Sequence, residues 1–94
     1  MPTLFDTIRQ LVVEGRYLVG QHAAERLDER NILEWQMVEG IEHAELIVEN
    51  PDDQPNPSIE VQETLPDGTP VKVIWSHIAS INIAKLVTVH FFDR

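Results

Sequence analysis

The amino-acid sequence predicts an α+β fold in which three N-terminal helices are followed by a four-stranded antiparallel sheet. Two observations predict it. Apolar residues recur about every fourth position as far as Ala44 and about every second position beyond it, and a run of helices followed by a run of strands favours segregated α+β layers over a parallel sheet. At 94 residues the chain holds one hydrophobic core and no second domain.

The first helix is predicted over about residues 3–14. Thr3 with Asp6 makes a capping box with Asp in place of Glu, and Leu4, Ile8, Leu11 and Val12 then recur at helical spacing until Gly15. A second helix runs from about Gln21 to Arg30 and stops at Asn31, which after Gly best tolerates the left-handed conformation of a helix end. Asn31 with Glu34 is the expected cap of a third helix, in which Met37, Val38 and Ile41 form an apolar stripe that continues to about Ala44 despite Gly40.

Leu46 to Asn50 reads as a short strand, and PDDQPNP, with three prolines in seven residues, as a loop. From Ser58 to Leu65, Ile59 and Val61 alternate with Glu60 and Gln62, as in a strand with one wet face. Pro66-Asp67-Gly68 is a hairpin turn, and Val71 to Ser76 and Ile83 to Phe92 are the last two strands of an antiparallel meander.

There is no cysteine, so neither a disulfide framework nor a thiolate metal site is available, which fits a reducing cytoplasm. The N-terminal stretch carries Asp6 and Arg9 among its apolar residues and lacks the pattern of a signal peptide, and no segment approaches the roughly 18 apolar residues of a membrane span. A net charge of -9 argues against phosphate partners in general. Its distribution is uneven, however. No Lys or Arg stands between Arg30 and Lys72, where ten acids fall, and the remainder of the chain, with seven basic and six acidic residues, is close to neutral. The ends can therefore present a local positive site.

The chemistry-bearing stretch is HAAERLDER, residues 22–30. At 100 degrees per residue, His22, Glu25, Arg26, Glu29 and Arg30 fall within an arc of roughly 140 degrees, with Ala23 and Leu27 beside it as a docking stripe. A solvated face of mutually paired charges is one reading of that arc. A metal site is disfavoured: His22 and Glu25 supply two ligands only, Ala23 and Arg26 stand where a zinc-protease helix has Glu and His, and Arg26 repels a cation. Acid–base chemistry suits these residue types better. Histidine titrates near neutrality, a carboxylate orients it, and arginine holds phosphate through paired hydrogen bonds, a combination that serves metal-free cleavage of an RNA phosphodiester. In LVTVHFFDR, strand alternation predicts Leu86, Thr88 and His90 on one face and Val87, Val89 and Phe91 on the other, so Thr88 and His90 either complete a site with His22 or are outward polar positions. His43 reads as a helix-surface partner of Glu39, His77 as a connection residue, and Trp35 and Trp75 as core or interface anchors.

The pattern H-A-x-x-R-x-x-x-R-x-I at His22, Ala23, Arg26, Arg30 and Ile32, followed by a helix, an acidic segment and a last strand ending in T-V-H-F, resembles the small prokaryotic domain of unknown function 4258. The resemblance runs from about Tyr17 to Phe92, with residues 1–15 as a helical extension to a family-like core of 17–92. Asn31 replaces the usual Gly after the second Arg, and Leu33 stands where Ser, Thr or Asp usually caps the next helix. The resemblance implies a RelE/barnase-like fold and a metal-independent endoribonuclease-like domain of a toxin–antitoxin type system. On that likeness His22, Glu25 and His90 are the catalytic candidates, Arg26, Arg30 and Thr88 bind the substrate phosphate, and no cofactor takes part. The implied partners are RNA, an antitoxin-like protein and a second copy of the chain, with no membrane. The competing expectation is a non-catalytic module whose acidic middle segment binds a basic protein.

Overall fold

The structure, a computed structural model, describes residues 3–92. Helix α1 spans Leu4–Val13, strand β1 Tyr17–Val19, helix α2 Gln21–Glu29 and helix α3 Glu34–Gly40; a 3-10 turn, Ile41–His43, leads into β2 Glu45–Asn50, β3 Ser58–Thr64, β4 Pro70–Ile78 and β5 Ile83–Phe91. The sheet has five strands in the order β1-β5-β4-β3-β2. Neighbours among β2 to β5 are antiparallel, as expected of a meander, while β1 pairs parallel with β5, Leu18 standing opposite Lys85. The expected four-stranded antiparallel sheet is thus a five-stranded mixed one, and the three helices are interrupted by β1 rather than consecutive.

The helix ends follow from local chemistry. In α1 both halves of the capping box form: Asp6 N–H donates to Thr3 Oγ1 at 3.1 Å and Thr3 N–H to Asp6 Oδ2 at 3.2 Å. At the other end Gly15, at φ +80, lets Gly15 N–H reach the Val12 carbonyl and Arg16 N–H the Leu11 carbonyl. Asn31 closes α2 in the same way at φ +55, with Asn31 N–H bonded to the Asp28 carbonyl and Ile32 N–H to that of Leu27. Because Asn31 is committed to that end, it does not cap α3. The N-cap there is Leu33, whose own N–H is satisfied by Gln36 Oε1 at 2.9 Å. The α3 helix also stops at Gly40 rather than near Ala44.

The core lies between the helices and one sheet face. Ile8, Leu11 and Val12 of α1, Ala23 and Leu27 of α2, and Met37 and Ile41 meet Ile59, Val61, Val71, Val73, Trp75, Ala84, Leu86 and Val89 of the strands. Tyr17 meets the Trp75 ring edge-on at 6.5 Å between centroids, which ties β1 to the centre.

One member of this face is a carboxylic acid. Glu63 is 1 % exposed, on the same side of β3 as Ile59 and Val61. Trp75 Nε1–H donates to its Oε2 at 3.2 Å, Oε1 has no hydrogen-bond partner, and burial pushes its pKa from 4.5 up to about 8. Gly40 makes room for it: a Cβ there would stand 2.5 Å from Glu63 Oε1, although the backbone at Gly40 has an ordinary helical φ of -65. Gly40→Ala gains about 1 kcal/mol of helix propensity, but overpacking against a buried, hydrogen-bonded carboxyl costs about 1–3 kcal/mol. We expect a net loss of about 1 kcal/mol in denaturant unfolding. In a Glu63→Ala background the same substitution should become stabilising, since the atom it meets is gone.

Candidate functional site

Beyond Leu86, β5 has no strand on its outer side, because β1 ends at Val19. Helix α2 fills that place. It begins where Gly20 N–H bonds to the Leu86 carbonyl and packs against β5, with Ala23 and Leu27 buried in the core. At Gly20 a Cβ would stand 2.8 Å from Lys85 Cε and 3.2 Å from the Leu86 carbonyl oxygen, so the close start of α2 on β5 relies on the absent side chain. His22, Arg26 and Arg30, four residues apart, then fall along one stripe of the helix.

The register of β5 shifts by one residue opposite Ile74 and Trp75, where Ile74 pairs with Thr88 but Trp75 with Leu86. Val87 is the extra residue of this bulge. It separates Leu86 from Thr88 and His90, which alternation had placed on one face: Leu86 and Val89 are both fully buried in the core, while Thr88 and His90 belong to the opposite side. There His90 stands directly across from Lys72 of β4.

His22, Arg26 and Arg30 on the α2 stripe and Lys72 on β4 all lie near enough to His90 for their charges to act on its ring. The His90 imidazole has its pKa lowered, first by burial and then by the charges of Lys72, Arg30, Arg26 and His22 in that order. Both causes favour the neutral ring. Three of the chain's seven Lys and Arg residues thus act on one imidazole in a protein of net charge -9.

The cations are held to different degrees. Arg26 pairs with Glu29 at 2.8 Å, both partly exposed, and Lys72 with Glu60 at 3.5 Å. Arg30 lays its guanidinium over the Phe91 ring, 5.0 Å from the centroid, and its buried Nε has no hydrogen-bond partner. It also borders a cleft of about 490 Å³ whose other walls include Asn31, Gln36, Leu65, Asp67 and Phe91. Thr88 is 7 % exposed, and its Oγ1 is likewise without a hydrogen-bond partner. Glu25 is exposed and accepts a long hydrogen bond, 3.5 Å, from Gln21 of its own helix, so the acid that engages the arginine stripe is Glu29. Two other histidines lie elsewhere. His43 is exposed, in the 3-10 turn, and His77 Nε2 meets Asn82 Oδ1 at 3.0 Å in the β4–β5 hairpin.

Lys72 and Glu63 were not singled out from the sequence. For Glu63 the signal was present, since the alternation Ile59, Val61, Glu63 places it on the apolar face. For Lys72 it was not, because its meeting with His90 depends on the hairpin register. Among the described residues no group of three or more His, Cys, Asp or Glu converges as a metal would need, and no helix is long and apolar enough to cross a membrane.

Residues 19–91 match the family described as Domain of unknown function (DUF4258), and the chain belongs to that family. The match begins after α1, which nevertheless supplies Ile8, Leu11 and Val12 to the core. No curated protein and no solved structure matches the chain.

Proposed function

We propose that this member of the DUF4258 family binds a phosphodiester of RNA at the α2–β5 site and cleaves it without a metal, in the manner of the RelE/barnase class of toxin–antitoxin ribonucleases. The observation that supports the reading is that Lys72, paired with the partly buried His90 across β4 and β5, and Arg30, Arg26 and His22 of the α2 stripe all lie close enough for their charges to act on the His90 ring. A local group of cations in an acidic chain favours an anion, and the two imidazoles add groups that can move protons.

In the reaction, neutral His90 accepts the proton of the ribose 2′-hydroxyl as its oxygen attacks phosphorus. The bond to the 5′-oxygen breaks, and that oxygen takes a proton from His22 acting in its imidazolium form, which is left as the neutral ring. The products are a 2′,3′-cyclic phosphate and a 5′-hydroxyl end, with one proton taken up and one released. Arg26, Arg30 and Lys72 stabilise the charge that builds on the phosphoryl oxygens. The Arg30 guanidinium is steadied on the Phe91 ring. Thr88 Oγ1, buried and without a partner inside the protein, stands out of direct reach of an arriving phosphate.

The test is cleavage of single-stranded RNA by purified protein in EDTA, for the wild type against His22→Ala and Arg26→Ala. We expect metal-independent cleavage to a cyclic phosphate that falls about a hundredfold or more without His22. Arg26→Ala should weaken RNA binding and reduce the slope of log affinity against log salt by about 0.7, the contribution of one phosphate contact on a single strand. Background-level cleavage in all three proteins would remove the catalytic reading, and a salt slope indifferent to Arg26 would remove the RNA.

A further inference from the structure

We propose that the outer edge of β2 receives an extended, basic segment of another protein as a sixth strand of the sheet. The proposal is independent of the nuclease reading and lies at the opposite end of the sheet, since α2 covers β5 and β2 is the last strand on the other side.

Edge strands are normally protected by Lys, by Pro, by a covering element or by being very short, because their free N–H and C=O groups template further pairing. β2 has six residues and neither Lys nor Pro. Its centre exposes three consecutive large apolar side chains, Leu46 at 42 %, Ile47 at 47 % and Val48 at 39 %. Ile47 is the bulged residue between two paired neighbours, Leu46 opposite Val61 and Val48 opposite Glu60. The bulge adds twist, and α1 reaches β2 only near its C-terminal end, where Phe5 N–H donates to Glu49 Oε2 at 2.8 Å, so the centre of the strand stays open. At the start of β2, Trp35, 53 % exposed, lines a shallow cleft with His43 and Thr64, so a large aromatic surface adjoins the corner where an added strand would enter.

Charge selects the occupant. Glu42 and Glu45 at the start of β2 and Asp52 after it are exposed acids, while Glu49 accepts from Phe5 N–H and Asp53 from Ser58 Oγ–H, all within a stretch that has no Lys or Arg from residue 31 to residue 71. A second copy paired antiparallel through β2 would bring its glutamates against these, an arrangement that opposes pairing. A strand alternating basic with β-branched residues instead satisfies the ladder, covers the apolar centre and neutralises the rim.

The test is titration of the isotopically labelled full chain with a lysine–valine alternating heptapeptide, followed by amide chemical shifts and amide exchange. We expect shifts and slowed exchange centred on residues 45–50, and roughly tenfold weaker binding to Ile47→Lys, a change at an exposed position that should leave the melting temperature in place. A lysine–proline heptapeptide of equal charge, which lacks half of the ladder donors, should bind at least about tenfold more weakly. Equal affinity for the two peptides would reduce the edge to a charge trap and overturn the proposal. So would shifts away from β2, indifference to Ile47→Lys, or a stable dimer in sedimentation that Ile47→Lys dissociates, which would give the edge to a second copy.

Discussion

Glu63→Gln is expected to make the protein more stable than wild type at pH 8 by roughly 4 kcal/mol relative to the difference between the two proteins at pH 4. In the wild type the folded-state pKa is raised to about 8, against an ordinary value of 4.5. Below 4.5 the carboxyl is protonated in both states and contributes no pH dependence. Between 4.5 and 8 the folded protein keeps a proton that the unfolded chain has released, so stability falls as pH rises, by up to about 1.4 kcal/mol per pH unit. Above 8 the charged form is buried and the loss is complete. Glutamine has the shape of the protonated acid, keeps an acceptor for Trp75 Nε1–H and cannot ionise, so its unfolding profile should lose this slope. His90 acts with the opposite sign: its lowered pKa means that stability falls as pH drops below its ordinary 6.5. Both proteins contain His90, and the difference between their denaturant midpoints across pH 4–9 therefore isolates Glu63. Since small domains have only about 5–15 kcal/mol of net stability, the wild type should approach its limit in mild alkali while the variant does not. Parallel profiles for the two proteins would mean that Glu63 ionises as freely when folded as when unfolded.

How much of this was legible in the sequence depends on the range of the interaction concerned. The α1 capping box, the Asn31 helix end and the Pro66-Asp67-Gly68 turn involve residues within five positions of one another, and local composition sufficed to place them. β1 was missed because three residues, Tyr17–Val19, carry no readable period and are held by β5, more than sixty positions later. The bulge at Val87 left no trace either. Val87 continues the apolar alternation without a break, and only its partner strand reveals that two residues of β5 stand where β4 has one step. The consequence for the site was direct, since the bulge gives Leu86 to the core and turns Thr88 and His90 the other way. The stripe of His22, Arg26 and Arg30 was legible from helical spacing, but its placement on the β5 side of the sheet, near enough for its charges to act on His90, was a tertiary matter. It required α2 to take the place of a strand beside β5.

His90→Gln is expected to lower RNA cleavage by about 10²–10⁴-fold while leaving RNA affinity and its salt dependence nearly unchanged. Glutamine preserves the size and polarity of the side chain beside Lys72 but cannot accept the 2′-hydroxyl proton, so the loss should appear in kcat rather than KM. The pH profile distinguishes this from a merely structural role. Because neutral His90 is the reactive form and burial together with four neighbouring cationic groups lowers its pKa, the acid limb of kcat/KM should lie below the ordinary histidine value of 6.5. Lys72 is the largest of those charge effects and stands directly opposite on β4. Lys72→Met removes the charge and keeps much of the length, and it should move the acid limb upward while weakening phosphate binding. RNA binding should act in the same direction. The arriving phosphate offsets the cations, so the limb measured on kcat should lie above that measured on kcat/KM. A limb that stays fixed when Lys72 is replaced would assign the base to another group, His22 being the first to examine, whereas a limb that moves with Lys72 and vanishes with His90 would place proton abstraction on β5.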